Sequence, residues 1–518
     1  MSAIPPDTDQ YFIFHGTGTS SAIPLLPCIT SADDVRDIQC GACRACVDGT
    51  VRDGWKNVRG NTGGVWRKRG EDGVWKNIVI DVGKTFRQNA LRIFMEHRIR
   101  TVDAVILTHG HADAIAGLDD LRAFNQPSTP GGPKPPPLPI HLSQQTLNAI
   151  SEQYPYLVDK NRATGGGDVP TLDWRVWGDE WCEDEGDDDE GQEEIVVAGV
   201  RVLPLKVHHG KYFTPPEKAQ RLDVPVTQGN NTPVSAKSRE SFATTTSTTA
   251  ANPNTESRAD LDPITAPVST TSTTSALEGI VGKLTGLTGL SGVTGLEDLV
   301  KSTKKKNEGK PGETPFWCYG FLFEGKVLYL SDTSFVPTRT WDRLYRAVGG
   351  DDQGRRGAQK VGNGSDGTTG AQPRLLPFSH DVPDLPEGKI QTFILDCLRI
   401  QDHSSHLSYV QALALAMKAK ARETLLVGFT HPDPHALWED IGRVVQGQGE
   451  DLETDMTSTG EGEEREQDER ELRAAKREFR RKIEKSAKDQ GLEHVWREAL
   501  EWKGFVQPAF DRQVVRCD

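Results

Sequence analysis

The chain has 518 residues, 26% of them charged, and a formal net charge of −14 at pH 7. That length admits two or three average domains, but no apolar run approaches the roughly 20 residues of a membrane-spanning helix, and the polar start MSAIPPDTDQ lacks a signal-peptide core. Eight cysteines in so long a chain build no disulfide framework, so a reducing compartment is expected: the cytoplasm, with the nucleus as alternative and no membrane partner.

In chain order, a strand is expected at 11–14, followed by the cysteine-rich stretch CGACRAC with Cys40, Cys43 and Cys46, and with Cys28 upstream. Two overlapping C-x-x-C units in a reducing compartment point to zinc; a redox pair would want a thioredoxin-like strand and helix, which this stretch lacks. The run WRKRG (66–70) reads as a charged hairpin tip. Strands then follow at 76–80, 104–107, 139–142, 195–197, 200–207, 317–323, 326–330, 392–395 and 424–429. Helical patterns occupy 84–97, 115–124, 144–152 and 407–419.

Between them lie segments of another character. The stretch 179–194 carries eleven carboxylates and reads as a solvated loop within an N-terminal half, 11–207. From 214 to 314 the chain turns to Ser, Thr, Pro, Gly and Lys, the composition of a disordered insertion through which protein partners could dock. A C-terminal half, 315–445, contains a Gly-rich linker at 349–372; 446–490 reads as an exposed charged helical insertion, and 491–518 closes the domain. Alternating strands and helices with hairpins mixed in imply an α/β sandwich of mixed sheets.

Polar side chains collect where the apolar runs stop. THGHAD places His109, His111 and Asp113 at alternate positions after 104–107, and in an extended segment alternate side chains point the same way. His208 and His209, Asp332, Asp396, and His431 with His435 end other strands. A strand-end aspartate alone can be a helix cap. So many imidazoles and carboxylates at the tips of one sheet instead point to a metal, and the donors suit zinc, manganese or iron.

THGHAD, a later strand-terminal His, YLSDT and FTH resemble the successive motifs of the metallo-beta-lactamase superfamily. FHGTGTSSAIP, the cysteine cluster, DTS and THPDPH are most similar to its phosphoribosyl cyclic phosphodiesterase branch, associated with carbon-phosphorus lyase. The resemblance implies a four-layer αββα sandwich with the metal site at one sheet edge. It implies that His109, His111, His209 and His431 ligate, Asp332 bridges two metals, and Asp113 holds the second and belongs to the catalytic set. His209 is preferred to His208 because the family has a His followed by a small residue, here Gly210. The same branch implies a structural zinc on Cys28, Cys40, Cys43 and His435, with Cys46 as substitute. His406, two residues before Ser408, matches the position of a catalytic general acid in the superfamily's zinc nucleases, with His403 second; loop histidines without a role are the alternative.

The family's first motif is usually H-x-H-x-D-H, and here its last position is Ala114. A second metal therefore keeps only Asp113 and Asp332 as protein ligands, and the site is either asymmetric or works with one metal. The function expected is metal-dependent hydrolysis of a small cyclic or nucleotide-like phosphodiester. The alternatives are an RNA-processing nuclease, for which the core lacks a basic track, a thioester or lactone hydrolase, and a non-catalytic binding scaffold.

Overall fold

Apolar side chains occupy every position of the run Tyr11–Phe14, the signature of a strand buried on both faces. The computed structural model describes residues 8–125, 132, 136–162, 164, 172–177, 194–212, 315–350, 376–379, 382–450 and 463–517. The insertion expected at 214–314, the acidic loop up to 193 and the Gly-rich linker from 351 lie outside the described residues. All described residues belong to one unit, built from the stretches Met1–Asn231 and Lys310–Asp518.

Its strands are β1 (Gln10–Gly16), β2 (Gly63–Arg69), β3 (Trp75–Ile80), β4 (Ala104–Ile106), β5 (Leu138–Leu142), β6 (Leu172–Val176), β7 (Ile195–Val197), β8 (Val200–Lys211), β9 (Pro315–Phe323), β10 (Val327–Leu330), β11 (Thr392–Asp396), β12 (Glu423–Val427), β13 (Val506–Pro508) and β14 (Val514–Arg516). They form two seven-stranded sheets, ordered β14-β1-β2-β3-β4-β5-β6 and β13-β12-β11-β10-β9-β8-β7. Each sheet is half antiparallel and half parallel: β14 to β3 and β7 to β10 pair antiparallel, β3 to β6 and β10 to β13 parallel.

The period of two along each strand divides its apolar side chains between two layers. Phe12, Phe14, Trp66, Ile78, Ile80 and Ile106 of the first sheet meet Val202, Phe321, Phe323, Tyr329, Ile394 and Val427 of the second in a central core. Tyr11, Ile13, Val79 and Val105 face outward beneath Phe86, Ala90 and Ile93 of the helix Phe86–Glu96 and Leu147 and Ile150 of the helix Gln144–Gln153. On the far side Leu328, Leu330, Phe393 and Leu395 pack with residues of the helices Thr338–Ala347, Tyr409–Ala419 and His435–Val445. The result is a four-layer αββα sandwich.

Several local expectations need correction. Only the end of the run 66–70 reaches the tip of the β2–β3 hairpin, with Gly70 in its turn; the rest belongs to β2, where Trp66 is fully buried against Phe323 and buried Arg67 donates to Asn77 Oδ1, Tyr11 Oη and the His97 carbonyl. The helix expected over 115–124 is a short α-turn, Ala112–Ile115, followed by the 3₁₀ stretch Leu118–Asn125. The charged helix is Glu463–Asp489, and one of its faces is core: Phe479, Ile483 and Ala487 are buried, with Phe479 edge-on to Trp438. Salt bridges from Lys476 and Arg480 to buried Asp440 tie it to the helix His435–Val445. Among the described residues, no helix is long and apolar enough to cross a membrane.

Candidate metal centre

β4, β8, β10, β11 and β12 all end at one edge of the two sheets, and their following residues build the site. His109, His111 and His209 converge there, with ring centroids 4.7, 5.1 and 5.1 Å apart pairwise and ligand atoms all within 4.8 Å of one another. The alternation expected for THGHAD holds only to His111, which is the N-cap of the turn Ala112–Ile115; Asp113 therefore reaches the site from a helical turn, its Oδ1 3.9 Å from His109 Nε2. His208 takes the other face of β8, against Trp317 and Phe335.

Neighbours select the nitrogen each ring presents. Thr108 Oγ1 lies 2.9 Å from Asp81 Oδ2 and 2.8 Å from His109 Nδ1, while Thr108 N donates to Asp81 Oδ1. With Asp81 ionised, the hydroxyl gives its one proton to the carboxylate and accepts Nδ1–H, leaving Nε2 of His109 as a lone pair. Burial, then the charges of Asp332 and Asp113, pushes Asp81 well above the usual carboxylate range; a cation on His109 acts in the opposite sense and favours the ionised form. His209 donates Nδ1–H to the Ser405 carbonyl at 2.8 Å, which frees its Nε2.

His109 Nε2 is buried without a hydrogen-bond partner among the described residues, an arrangement that is costly unless a cation takes the lone pair. Burial holds His109 down at about 3, lowers His111, and lowers His209 well below the usual imidazole value, so all three are neutral at pH 7, as ligation requires. Burial opposes the charge on Asp332, yet His109, His209 and His406 hold it at about 2. The three imidazoles fit a divalent metal, with Asp332 grouped beside them on His209 and His406.

His406 enters this centre from the loop after β11. With His209 and Asp332 it forms a second group of ligand atoms within 4.8 Å. Its Nδ1 lies 3.1 Å from both oxygens of Asp396 and 4.0 Å from Asp332 Oδ1. Burial works against its charge, but Asp396, Asp332 and Asp113 raise it to about 9. Asp396 is therefore no helix cap: fully buried, it accepts from His406 and from the Leu407 amide, and the following helix is capped by Ser408 in a capping box with Gln411. His403 stays outside the ligand groups, 5.5 Å from His406 between ring centres, with its Nδ1 on Ser405.

The pocket beside the cluster is lined among others by Asp113, Ala114, Asp332, His406, Gly428 and Thr62. Burial and Asp332 push Asp113 up to about 6.

The two histidines of THPDPH sit elsewhere than expected. His431 is not part of the strand-end cluster; its Nδ1 is 3.2 Å from Cys40 Sγ and 3.6 Å from Cys28 Sγ, and it completes a group with Cys28, Cys40 and Cys43. His435 is not part of the cysteine group. As the first residue of its helix it turns toward fully buried Arg59, accepting Arg59 Nη2–H on Nδ1 at 2.7 Å and donating Nε2–H to Glu439 at 3.1 Å. Cys46 also lies outside the group, and burial, countered by Arg59, pushes its thiol to about 12. The four-member set is a closed Cys3His arrangement of the kind zinc takes structurally; all its thiols are free.

Residues 76–222 match the model of the Beta-lactamase superfamily domain, a stretch that includes His109, His111, Asp113 and His209. Over that stretch the chain is similar to the metallo-beta-lactamase superfamily. An octanoyltransferase of Porphyromonas gingivalis is 32% identical over 136 residues, which is 26% of this chain and only 22% of that relative's length. Among solved structures, a diphosphatase from the PhnP family has 17% identity over 82% of this chain and 89% of its own, with a TM-score of 0.41. Zinc-bound PqqB from Methylobacterium extorquens has 11% identity over 98% and 99%, with a TM-score of 0.40, and the short form of human tRNase Z has 11% over 81% and 92%, with 0.32.

Proposed function

We propose that the chain hydrolyses a small phosphodiester with one divalent metal, zinc in the first instance, held by His109, His111 and His209 with Asp332 alongside. The observation that carries this reading is the triangle of three neutral imidazoles around the orphaned Nε2 of His109. One metal is favoured over two because the wall next to Asp113 is made by Ala114 and Gly428, neither of which has a donor side chain. When bound, the metal supplies Lewis acidity toward water and toward a phosphoryl oxygen.

The chain's own residues handle protons and charge. Asp113, near 6, is poised to accept a proton from attacking water. His406, kept charged by Asp396, donates to the leaving oxygen, with Nδ1–H committed to Asp396 and Nε2–H left for the reaction. The cysteine group with His431 holds a second, structural zinc.

The test is metal content by mass spectrometry together with hydrolysis of bis(p-nitrophenyl) phosphate. Wild type should carry a metal at each group and turn over the diester, and His111→Ala should lose one equivalent with the activity. Turnover that survives removal of that equivalent refutes the reading.

A further inference from the structure

A ligating imidazole needs its plane fixed as well as its nitrogen freed, and in most metal sites a hydrogen bond to the second ring nitrogen does this. His109 has Thr108 and His209 has the Ser405 carbonyl. His111 has neither: among the described residues no hydrogen bond reaches its ring, and it is the exposed member of the triangle. What it has is Phe316. The two rings lie parallel, 5° apart in plane and 4.4 Å between centroids.

Phe316 is itself braced. Tyr212, the residue after β8, meets it edge-on at 5.2 Å, and Gln145, in the second outer helix of the first sheet, donates to Tyr212 Oη at 2.8 Å. Phe316 also presents its ring edge-on to His109 and His209, at 6.2 and 6.0 Å. One aromatic side chain on β9 thus touches all three histidines.

We infer that Phe316 is a positioning residue of the metal centre, whose ring face holds the His111 imidazole in the plane that ligation needs, in place of the missing hydrogen bond. This rests on the metal-site reading above. The physics runs in one direction: an imidazole that gives its lone pair to a cation becomes electron-poor, and an electron-poor ring is drawn more strongly to the negative face of a phenyl group. The stack therefore tightens when metal binds, and by linkage it raises metal affinity. Bulk alone would not have this effect.

The experiment is a cobalt(II) titration of the metal-stripped full chain, comparing wild type with Phe316→Ala, Phe316→Leu and Phe316→Tyr. Histidine-bound cobalt is followed by its d–d absorption and cysteine-bound cobalt by its thiolate charge-transfer band, which also reports that the fold is intact. Phe316→Ala and Phe316→Leu should weaken the histidine site about tenfold and shift its d–d band, with the thiolate band unchanged. Phe316→Tyr should restore wild-type affinity and spectrum. Wild-type behaviour in Phe316→Ala, or full rescue by Phe316→Leu, overturns the inference and leaves the metal site standing. Failure of the wild-type histidine site to take cobalt overturns both.

Discussion

Two histidines four residues apart are assigned to different tasks, and single substitutions separate them. His431 completes the cysteine group, so His431→Ala should remove the structural metal while leaving the metal at His109, His111 and His209. If free zinc stands at about 100 times its dissociation constant, losing that site costs roughly 2.7 kcal/mol of stability. His435 does something else. Held at about 4 by burial, it is neutral, and as a neutral ring it can accept from buried Arg59 on one nitrogen and donate to Glu439 from the other. Ligating a metal would force it to abandon one of the two. His435→Ala should therefore keep both metals and still lose about 3 kcal/mol, the order expected for hydrogen bonds to two charged partners with Arg59 left buried. The assay is metal stoichiometry by mass spectrometry, paired with urea unfolding at fixed zinc. Loss of the cysteine-site metal in His435→Ala with its retention in His431→Ala would refute the assignment.

His406→Ala should retain the histidine-site metal but lose turnover by 10²–10⁴-fold, the usual worth of a general acid; loss of that metal would make His406 a ligand instead. Phe479→Ala should destabilise the protein by about 3–5 kcal/mol in denaturant melts, as for a core aromatic, and a cost under about 0.5 kcal/mol would return the helix Glu463–Asp489 to the status of a detached surface element. The pH dependence has a definite sign. His15 is fully buried and lowered to about 4 by burial, so between about 6.5 and 4 the unfolded chain binds a proton that the folded chain does not. Its contribution is complete above pH 6.5 and about 3 kcal/mol of stability is lost by pH 4. His15→Gln, compared with wild type by denaturant melts at intervals across that window, should take up about one proton fewer on unfolding; an unchanged slope would refute the role.

How much was legible beforehand depended on how far each signal reached. Long apolar runs such as those ending at Leu107 and Leu330 announced strands, and the donors just past them announced a strand-end site. β2 was missed because the charges of Arg67 and Lys68 outweighed Trp66, although Arg67 is buried on three partners. β13 and β14 are three residues each, too short for any period to register. In THPDPH the residue types were readable, but which histidine joins the cysteines depends on where a helix starts and where Arg59 sits, and both are tertiary facts. Asp396 looked like a cap because a strand-end aspartate before a helix often is one, but Ser408 does the capping and leaves Asp396 to His406 and the Leu407 amide. Phe316 carried no signal, since its contact with His111 comes from the meeting of two sheets.

The wall that lacks donors and the unit that holds His406 are one construction. Gly428 has φ +81°, and a Cβ there would come within 2.6 Å of Asp396 Oδ1. Any side chain at 428, a ligating one included, would collide with the carboxylate that orients His406, quite apart from the backbone strain. Asp396 in turn is fully buried, and burial raises it to about 6, so its ionised form depends on the His406 cation and the Leu407 amide beside it. A donor on this wall and an Asp396–His406 pair thus compete for the same space. The chain has the pair. On the proposed reading, the His406 cation stands directly beside the metal ligand His209, their ring centres 4.7 Å apart, in the place where a second metal would otherwise be held.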